Sequence, residues 1–313
     1  MKTRLAPSPT GALHLGNART FLVNWLLARQ LDWKILLRIE DLDGPRIKSG
    51  SDRQAIEDLQ WLGLDWDEGP VYQSPRQAEY QSAVNQLLTG GLAYPCICSR
   101  KEVEQAASAP HSEDGAAVYP GTCRGRFTSI ESARQAAGRE PAIRFRVPDE
   151  IITWTDAFRG PQQSDPMQDL GDFVIAKADG MAAYQLAVVV DDAAMGITQV
   201  VRGDDLIDST PRQILLFRAL GHASQIPTYR HLPLVIGEDG RRLAKRHGDT
   251  RLSHYRALGV TASRMLALLA GWCGIPDIGD CVTVQTLLNT FDLGTLSLEP
   301  VVFTSKDDEG LLG

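Results

Sequence analysis

The segment Lys34-Ile35-Leu36-Leu37-Arg38-Ile39 is almost continuously apolar and does not alternate, the mark of a strand buried on both faces of a parallel sheet. It runs into Glu40-Asp41-Leu42-Asp43, so carboxylates fall at the strand's carboxyl end, where open α/β sheets bind ligands. Upstream, residues 2 to 6 read as a short strand and Pro7-Ser8-Pro9-Thr10-Gly11 as a break; Ala18, Phe21, Leu22, Trp25 and Ala28 then recur at helical spacing. His14-Leu15-Gly16-Asn17 therefore lies where a helix begins.

The alternation continues and is then interrupted. Helices are predicted over 52 to 62, stopped by Gly63, and over 75 to 88, with Ser74 as N-cap, Pro75 in the first position and Gly90 beyond the end. Residues 94 to 183 depart from the pattern. They hold Cys96, Cys98 and Cys123, a short helix capped by Ser99 with Glu102 three residues on, a loop over 108 to 117, and a hairpin turning at Asp179-Gly180. This stretch reads as an α+β module inserted between two halves of one catalytic domain, 1 to 93 and 184 to 250. The run 184 to 190, Tyr-Gln-Leu-Ala-Val-Val-Val, is expected as a buried strand, followed by a strand over 197 to 201 and a helix capped by Thr210. A hairpin over 233 to 243, turning at Asp239-Gly240, places Lys245 on the loop after it. Residues 251 to 313 read as a short helical region, with Met265, Leu266, Leu268 and Leu269 on its core face.

Composition narrows the class. A chain of 313 residues with 43% hydrophobic content can bury a large core. The longest apolar run, near 265 to 275, is too short and interrupted to span a bilayer, and the expected location is the cytoplasm with no membrane partner. Five cysteines, three of them within 28 residues and without a secretory signal, argue against a disulfide framework and for a metal knuckle. Cys273 and Cys281 are expected as core or near-core thiols. A net charge of −7 argues against a polyanionic partner, but the charge is unevenly spread. Arg124, Arg126, Arg134, Arg139, Arg144 and Arg146 stand against only Glu131 and Glu140, a stretch that faces either RNA or plain solvent.

The chemistry follows from position. Free N–H groups and the positive end of a helix dipole attract phosphate, Gly16 lets the backbone approach closely, and the His14 imidazole can donate to phosphate oxygens. Lys245, between Arg242 and Arg246, supplies mobile cations for the charge that spreads over an α-phosphate under attack. A structural zinc needs four ligands. Cys96, Cys98 and Cys123 give three, and the fourth is either Tyr119, folded back by Pro120-Gly121, or His111.

These residues together resemble a known family. Residues 4 to 11 (Arg-Leu-Ala-Pro-Ser-Pro-Thr-Gly), His14-Leu15-Gly16-Asn17, Leu37-Arg38-Ile39-Glu40-Asp41, Tyr72-Gln73-Ser74, residues 188 to 192, Val201-Arg202-Gly203-Asp204 and residues 240 to 248 are similar to the catalytic core of class I glutamyl-tRNA synthetases, over about residues 3 to 256. More narrowly, the chain resembles the shortened branch of that family, which attaches glutamate to queuosine. About sixty residues follow Thr250, too few for a large anticodon-binding region; Asp205-Leu206-Ile207-Asp208-Ser209-Thr210-Pro211 resembles the shorter enzymes; and Tyr119 precedes Cys123 as in their zinc site.

The resemblance implies an α/β Rossmann catalytic domain and specific roles. Arg4 would pair with the side-chain carboxylate of L-glutamate and Glu40 with its α-amino group, with Ala6, Ser8, Tyr184 and Arg202 completing that site. His14, Gly16, Asn17, Arg242, Leu243 and Lys245 would bind ATP, with Mg2+, and His14 and Lys245 would be catalytic. Cys96, Cys98, Tyr119 and Cys123 would hold one structural Zn2+. The implied partner is aspartate tRNA carrying queuosine, and the implied state a monomer. Ala244 replaces the usual serine of the second ATP motif, which removes a hydroxyl. A truncated enzyme charging a tRNA 3′ end and a non-catalytic RNA-binding paralogue remain as alternatives.

Overall fold

In the computed structural model, which describes residues 1–42, 44–106, 118–241, 243, 248–275 and 281–313, β1 (Lys2–Leu5) pairs in parallel with β2 (Lys34–Ile39), and β3 (Glu68–Tyr72) adds to the far side of β2. The connection between β1 and β2 is α1 (Leu15–Gln30), buried at Ala18, Leu22, Val23, Leu26 and Leu27. It lies between the sheet and later helices, which is why apolar residues occupy more than one of its faces. Next come α2 (Ser51–Trp61) and α3 (Gln77–Thr89).

An antiparallel region follows. It contains β4 (Ala93–Cys96), α4 (Arg100–Ala106), α5 (Ile130–Ala137), β5 (Ala142–Phe145), β6 (Ile152–Asp156), β7 (Gly160–Ser164), α6 (Pro166–Asp169) and β8 (Val174–Ala176). β4, β5 and β8 form one sheet, and β6 and β7 a hairpin. The expected cap of α4 is present: Glu102 N–H donates to Ser99 Oγ and Ser99 N–H to Glu102 Oε2. The turn at Asp179-Gly180 is also found, closed by Lys177 N–H to Met181 O at 2.8 Å.

The parallel pattern then resumes with α7 (Tyr184–Ala194), β9 (Gln199–Gly203), α8 (Ser209–Ala219) and β10 (Thr228–Leu232). β9 and β10 pair in parallel. Thr198 N–H donates to Lys2 O at 2.9 Å, which brings β9 alongside β1. The strands thus succeed one another as β3, β2, β1, β9, β10. Connections leave β1 in one direction and β9 in the other, and a topological switch point of this kind is where α/β sheets open a ligand crevice. Beyond it lie β11 (Val235–Gly237), α9 (Leu252–Ala257), α10 (Ala262–Gly271), α11 (Val284–Thr290), β12 (Val301–Phe303) and α12 (Ser305–Leu312).

Several sequence expectations need correction. Residues 184 to 190 form the first turns of α7, not a strand; an unbroken apolar run fits a buried helix as well as a buried strand, and burial against α3 and α8 overrides the β preference of its valines. Ser74 is not the cap of α3. It begins a 3-10 turn, and its hydroxyl donates to Asp41 Oδ2 at 2.6 Å. Thr210 sits inside α8, where its hydroxyl accepts from Arg202. The turn at Asp239-Gly240 exists, but the strand partner of β11 is β12, in parallel. Among the described residues after Thr250 the structure is helical with one strand, and Met265, Leu266 and Leu269 enter the same core as α1 and β2, while Leu268 is only partly buried. Cys273 is buried as expected, whereas Cys281 is exposed.

Candidate active site

His14 is the N-cap of α1. Gly16 N–H donates to its Nδ1 at 3.2 Å, and its own N–H donates to Asn17 Oδ1 at 3.3 Å. An accepting Nδ1 leaves Nε2 as the protonated nitrogen of the neutral ring, a donor of the kind a phosphate oxygen takes. Gly16 leaves the ring its place: a Cβ there would lie 3.1 Å from His14 Cε1 and 3.2 Å from Nδ1, so the ring would have to shift by a few tenths of an ångström.

A cleft of about 750 Å³ opens beside this cap, at the carboxyl ends of β1 and β2, and is lined by Ala6, Ser8, His14, Asn17, Glu40 and Tyr184 among others. A recess of about 150 Å³ shares most of those residues and reaches Arg4, Gly16 and Arg202. The nine described residues expected to bind glutamate or ATP from positions 4 to 202 thus surround one crevice, with Arg4 from β1 and Arg202 from β9 on either side of the switch point. Leu243 is buried and lines a separate cleft that also touches His14. Arg242, Ala244, Lys245 and Arg246 lie outside the described residues, as does His111.

Behind the recess lies a layer of charged groups, of which Arg38 and Asp192 are buried and Glu40 reaches the recess. Arg38, fully buried, donates from Nη1 to Asp192 Oδ1 at 2.6 Å and from Nη2 to Glu40 Oε1 at 2.9 Å. Burial works against its charge, but Asp192, Glu40 and Asp191 outweigh burial and hold it ionised. Arg4 stands 3.7 Å from Asp192 and its Nε has no hydrogen-bond partner. Its pKa is lowered by burial more than Asp192 restores it. Glu40 is pushed above the ordinary carboxylate range by burial, in spite of Arg38 and Arg4. A buried guanidinium and a desolvated carboxylate lining one recess suit a ligand that carries both a negative and a positive group.

Arg38 and Asp192, which organise this layer, had no role assigned from sequence. The available signal was Asp191-Asp192 at the end of an apolar run: Asp191, buried, accepts from Gln73 Nε2, Arg76 Nε and Tyr80 OH, and Asp192 accepts from Arg38. Lys177 and Asp205 also line the larger cleft and were not anticipated.

The three cysteines converge as expected. Their sulfurs lie within 4.8 Å of one another. Cys98 Sγ is 3.5 Å from Cys123 Sγ, and Tyr119 OH is 3.4 Å from Cys96 Sγ and 3.6 Å from Cys98 Sγ. A tetrahedral ion with sulfur at 2.3 Å and oxygen at 2.0 Å needs S···S edges of about 3.8 Å and S···O edges of about 3.5 Å, and these three edges are close to those lengths. Arg144 donates to Cys96 Sγ at 3.3 Å and stacks over the Tyr119 ring at 3.8 Å, placing a cation behind the ligand set. Burial pushes the Cys98 thiol up to about 11, so without a cation it stays protonated at neutral pH.

Most of the arginines between 124 and 146 serve structure. Arg124 and Arg144 donate to the carbonyls of Val147 and Asp172. Arg134 pairs with Glu131 and Glu140, Arg139 donates to Ile97 O, and Arg146 lies over Tyr94. Arg134 and Arg139 keep 44% and 54% of their side-chain surface exposed while making these contacts.

The family model for the catalytic domain of class I tRNA synthetases (E and Q) matches residues 1–307. The chain is 48% identical to a glutamyl-Q tRNA(Asp) synthetase of Symbiobacterium thermophilum, over 99% of this chain and 98% of that protein. It is 45% identical to a glutamate-tRNA ligase of Synechococcus, over 93% of this chain but 61% of the ligase. A solved glutamate tRNA ligase from Elizabethkingia meningosepticum, in complex with its amino acid, superposes with a TM-score of 0.81 at 29% identity, covering 98% of this chain and 68% of that one.

Proposed function

The chain belongs to the class I tRNA synthetases of the E and Q type, among the glutamyl-Q tRNA(Asp) synthetases, and from that premise we propose that it activates L-glutamate with ATP and transfers it to queuosine in the anticodon loop of aspartate tRNA. The observation that carries the amino-acid half is that the buried Arg4 and the desolvated Glu40 line one recess, a guanidinium and a carboxylate for the two charged ends of one ligand. The glutamate side-chain carboxylate takes the Arg4 guanidinium and its ammonium takes Glu40, with Ala6, Ser8, Tyr184 and Arg202 around them. ATP lies at the start of α1, where His14 Nε2, the helix N–H groups and Asn17 face its phosphates.

The α-carboxylate oxygen then attacks the α-phosphorus, the bond to the β-phosphate oxygen breaks, and pyrophosphate leaves. Lys245, with Arg242 and Leu243 in the same motif, stabilises the charge that develops; Mg2+ accompanies the nucleotide. A hydroxyl of the queuosine cyclopentenediol attacks the glutamyl carbonyl, AMP departs, and an ester forms. The choice of acceptor follows the relatives that align along nearly their whole length, whose name gives aspartate tRNA. Cys96, Cys98, Tyr119 and Cys123 fit one structural Zn2+, which when bound ties together the two segments that supply them. We read residues 94 to 183 as the inserted module and the chain as a cytoplasmic monomer.

Glutamate-dependent exchange of label between pyrophosphate and ATP tests the first half. The wild type should support exchange with L-glutamate and not with L-glutamine, and Lys245→Ala should reduce the rate on the order of a hundredfold, as loss of one preorganised electrostatic donor does. No glutamate-dependent exchange by the wild type would refute the reading.

A further inference from the structure

Asp156 and His231 line neither the cleft nor its recess, yet they determine how Arg202 is held. We infer that the two are positioning residues, which fix the Arg202 guanidinium for the amino acid by enforcing a single histidine tautomer; the inference rests on the reading of Arg202 as a glutamate contact.

The argument begins with register. His231 of β10 lies opposite Arg202 of β9 in the parallel ladder, and both side chains are buried. Arg202 Nε donates to His231 Nε2 at 2.9 Å. A guanidinium has no acceptor, so Nε2 must be bare and the neutral ring must carry its proton on Nδ1. Nδ1 lies 2.6 Å from Asp156 Oδ2. The other carboxylate oxygen is saturated: Oδ1 accepts the N–H groups of Phe158 at 2.9 Å, Arg159 at 2.8 Å and His231 at 3.3 Å.

The remaining contacts lock the plane of the arginine. Its Nη1 donates to Gln213 Oε1 at 2.9 Å, and its Nη2 to Thr210 Oγ1 at 2.9 Å and Leu206 O at 3.3 Å. Gln213 in turn donates to Gln185 Oε1, on the first turn of α7 next to Tyr184. The electrostatics agree with a neutral ring beside a carboxylate. Burial lowers the His231 pKa and the Arg202 charge adds to that, against Asp156; burial would raise Asp156, but His231 and the Arg159 and Phe158 amides hold it below its usual range.

This geometry makes Asp156→Asn informative. The amide oxygen must keep the Oδ1 place to accept three N–H groups, so the amide nitrogen takes the Oδ2 place and donates to His231 Nδ1. The ring then protonates on Nε2, whose N–H turns to Thr210 Oγ1 at 3.3 Å, and Arg202 Nε loses its acceptor, the tautomer fault that an aspartate-to-asparagine change produces where a carboxylate orients a histidine. His231→Gln cannot be inverted in this way, because its side-chain oxygen is available to Arg202 whatever stands at position 156.

Steady-state exchange kinetics on wild type, Asp156→Asn, His231→Gln and the double variant test the claim. Asp156→Asn should raise KM for glutamate on the order of tenfold, the usual consequence of one misdirected buried polar group, and leave KM for ATP unchanged. The double variant should bind glutamate better than Asp156→Asn alone. Unchanged glutamate KM, an equal rise in KM for ATP, or defects that simply add would overturn the inference. Long-range proton–nitrogen NMR of the wild type supplies an arm that needs no variant to be active: His231, identified by its loss in His231→Gln, should show a neutral ring protonated at Nδ1 at pH 7, and an imidazolium or an Nε2–H ring contradicts it. A wild type without glutamate-dependent exchange would instead refute the functional reading, with the tautomer still judged by its spectrum.

Discussion

At the scale of single residues, the site fits closely at the start of α1, where Gly16 N–H donates to His14 Nδ1 at 3.2 Å and the ring lies against Gly16. His14 and Gly16 belong to one turn, so a strand, a Pro/Gly break and a helical period suffice to place them. Arg38 and Asp192 are 154 positions apart, and no local pattern joins them. The close fit at the cap gives a first prediction. Gly16→Ala should force the His14 ring aside, because its Cβ would sit 3.1 Å from the ring; exchange should slow on the order of tenfold through a higher KM for ATP, with the melting temperature nearly unchanged, since alanine is the better helix former. Kinetics that match wild type would show the ring to be free to move without loss.

Glu40 gives a second, through pH. Burial raises its pKa above the ordinary value of about 4.3, and it must be ionised to receive an ammonium group. The kcat/KM for glutamate should therefore fall, as pH drops, through a limb that lies above 4.3, and Glu40→Gln should lack that limb. A limb shared by wild type and variant belongs to another group. Stability runs the opposite way: a carboxyl that binds its proton more tightly when folded makes the fold more stable as pH falls through the same window.

At the scale of elements, β2, α2 and the cap of α4 are read correctly because their signals are local: an apolar run bounded by acids, a glycine stop, a serine and glutamate three apart. α7 is misread for a physical reason. Burial on several sides erases the periodicity that distinguishes helix from strand, and valine-rich composition then points the wrong way. The cysteine cluster is the opposite case: the three thiols grouped in the sequence lie within 4.8 Å of one another in the fold, and the Tyr119 hydroxyl is 3.4 Å from Cys96 Sγ. Cys98→Ser should lose the metal from chelator-washed protein, and proteolysis should then cut between residues 94 and 183 before it cuts the parallel strands, since metal binding and local folding are coupled. Retention of a full equivalent of zinc by the variant contradicts the assignment.

At the scale of the whole molecule, the order of strands and the position of the switch point are set by long-range packing that periodicity does not encode. One core joins α1, β1 and β2 to α10, α11 and α12. Arg19 ties it further, with Nη1 donating to Pro233 O at 2.7 Å and Nε to Trp272 O at 3.2 Å. The region after Thr250 thus supports the site from behind, through β12 on β11. A net charge of −7 supplies no overall attraction for a polyanion, and Arg124, Arg134 and Arg144 near the cysteines make contacts within the fold.

The central claim concerns where glutamate is delivered. Aspartate tRNA with and without queuosine is incubated with the protein, ATP and labelled glutamate, then cut by a base-specific nuclease under acidic conditions that preserve the ester. Label is expected in the anticodon-loop fragment of the queuosine-bearing tRNA and nowhere in the queuosine-free one; label confined to the 3′-terminal fragment, or equal in both tRNAs, would contradict it.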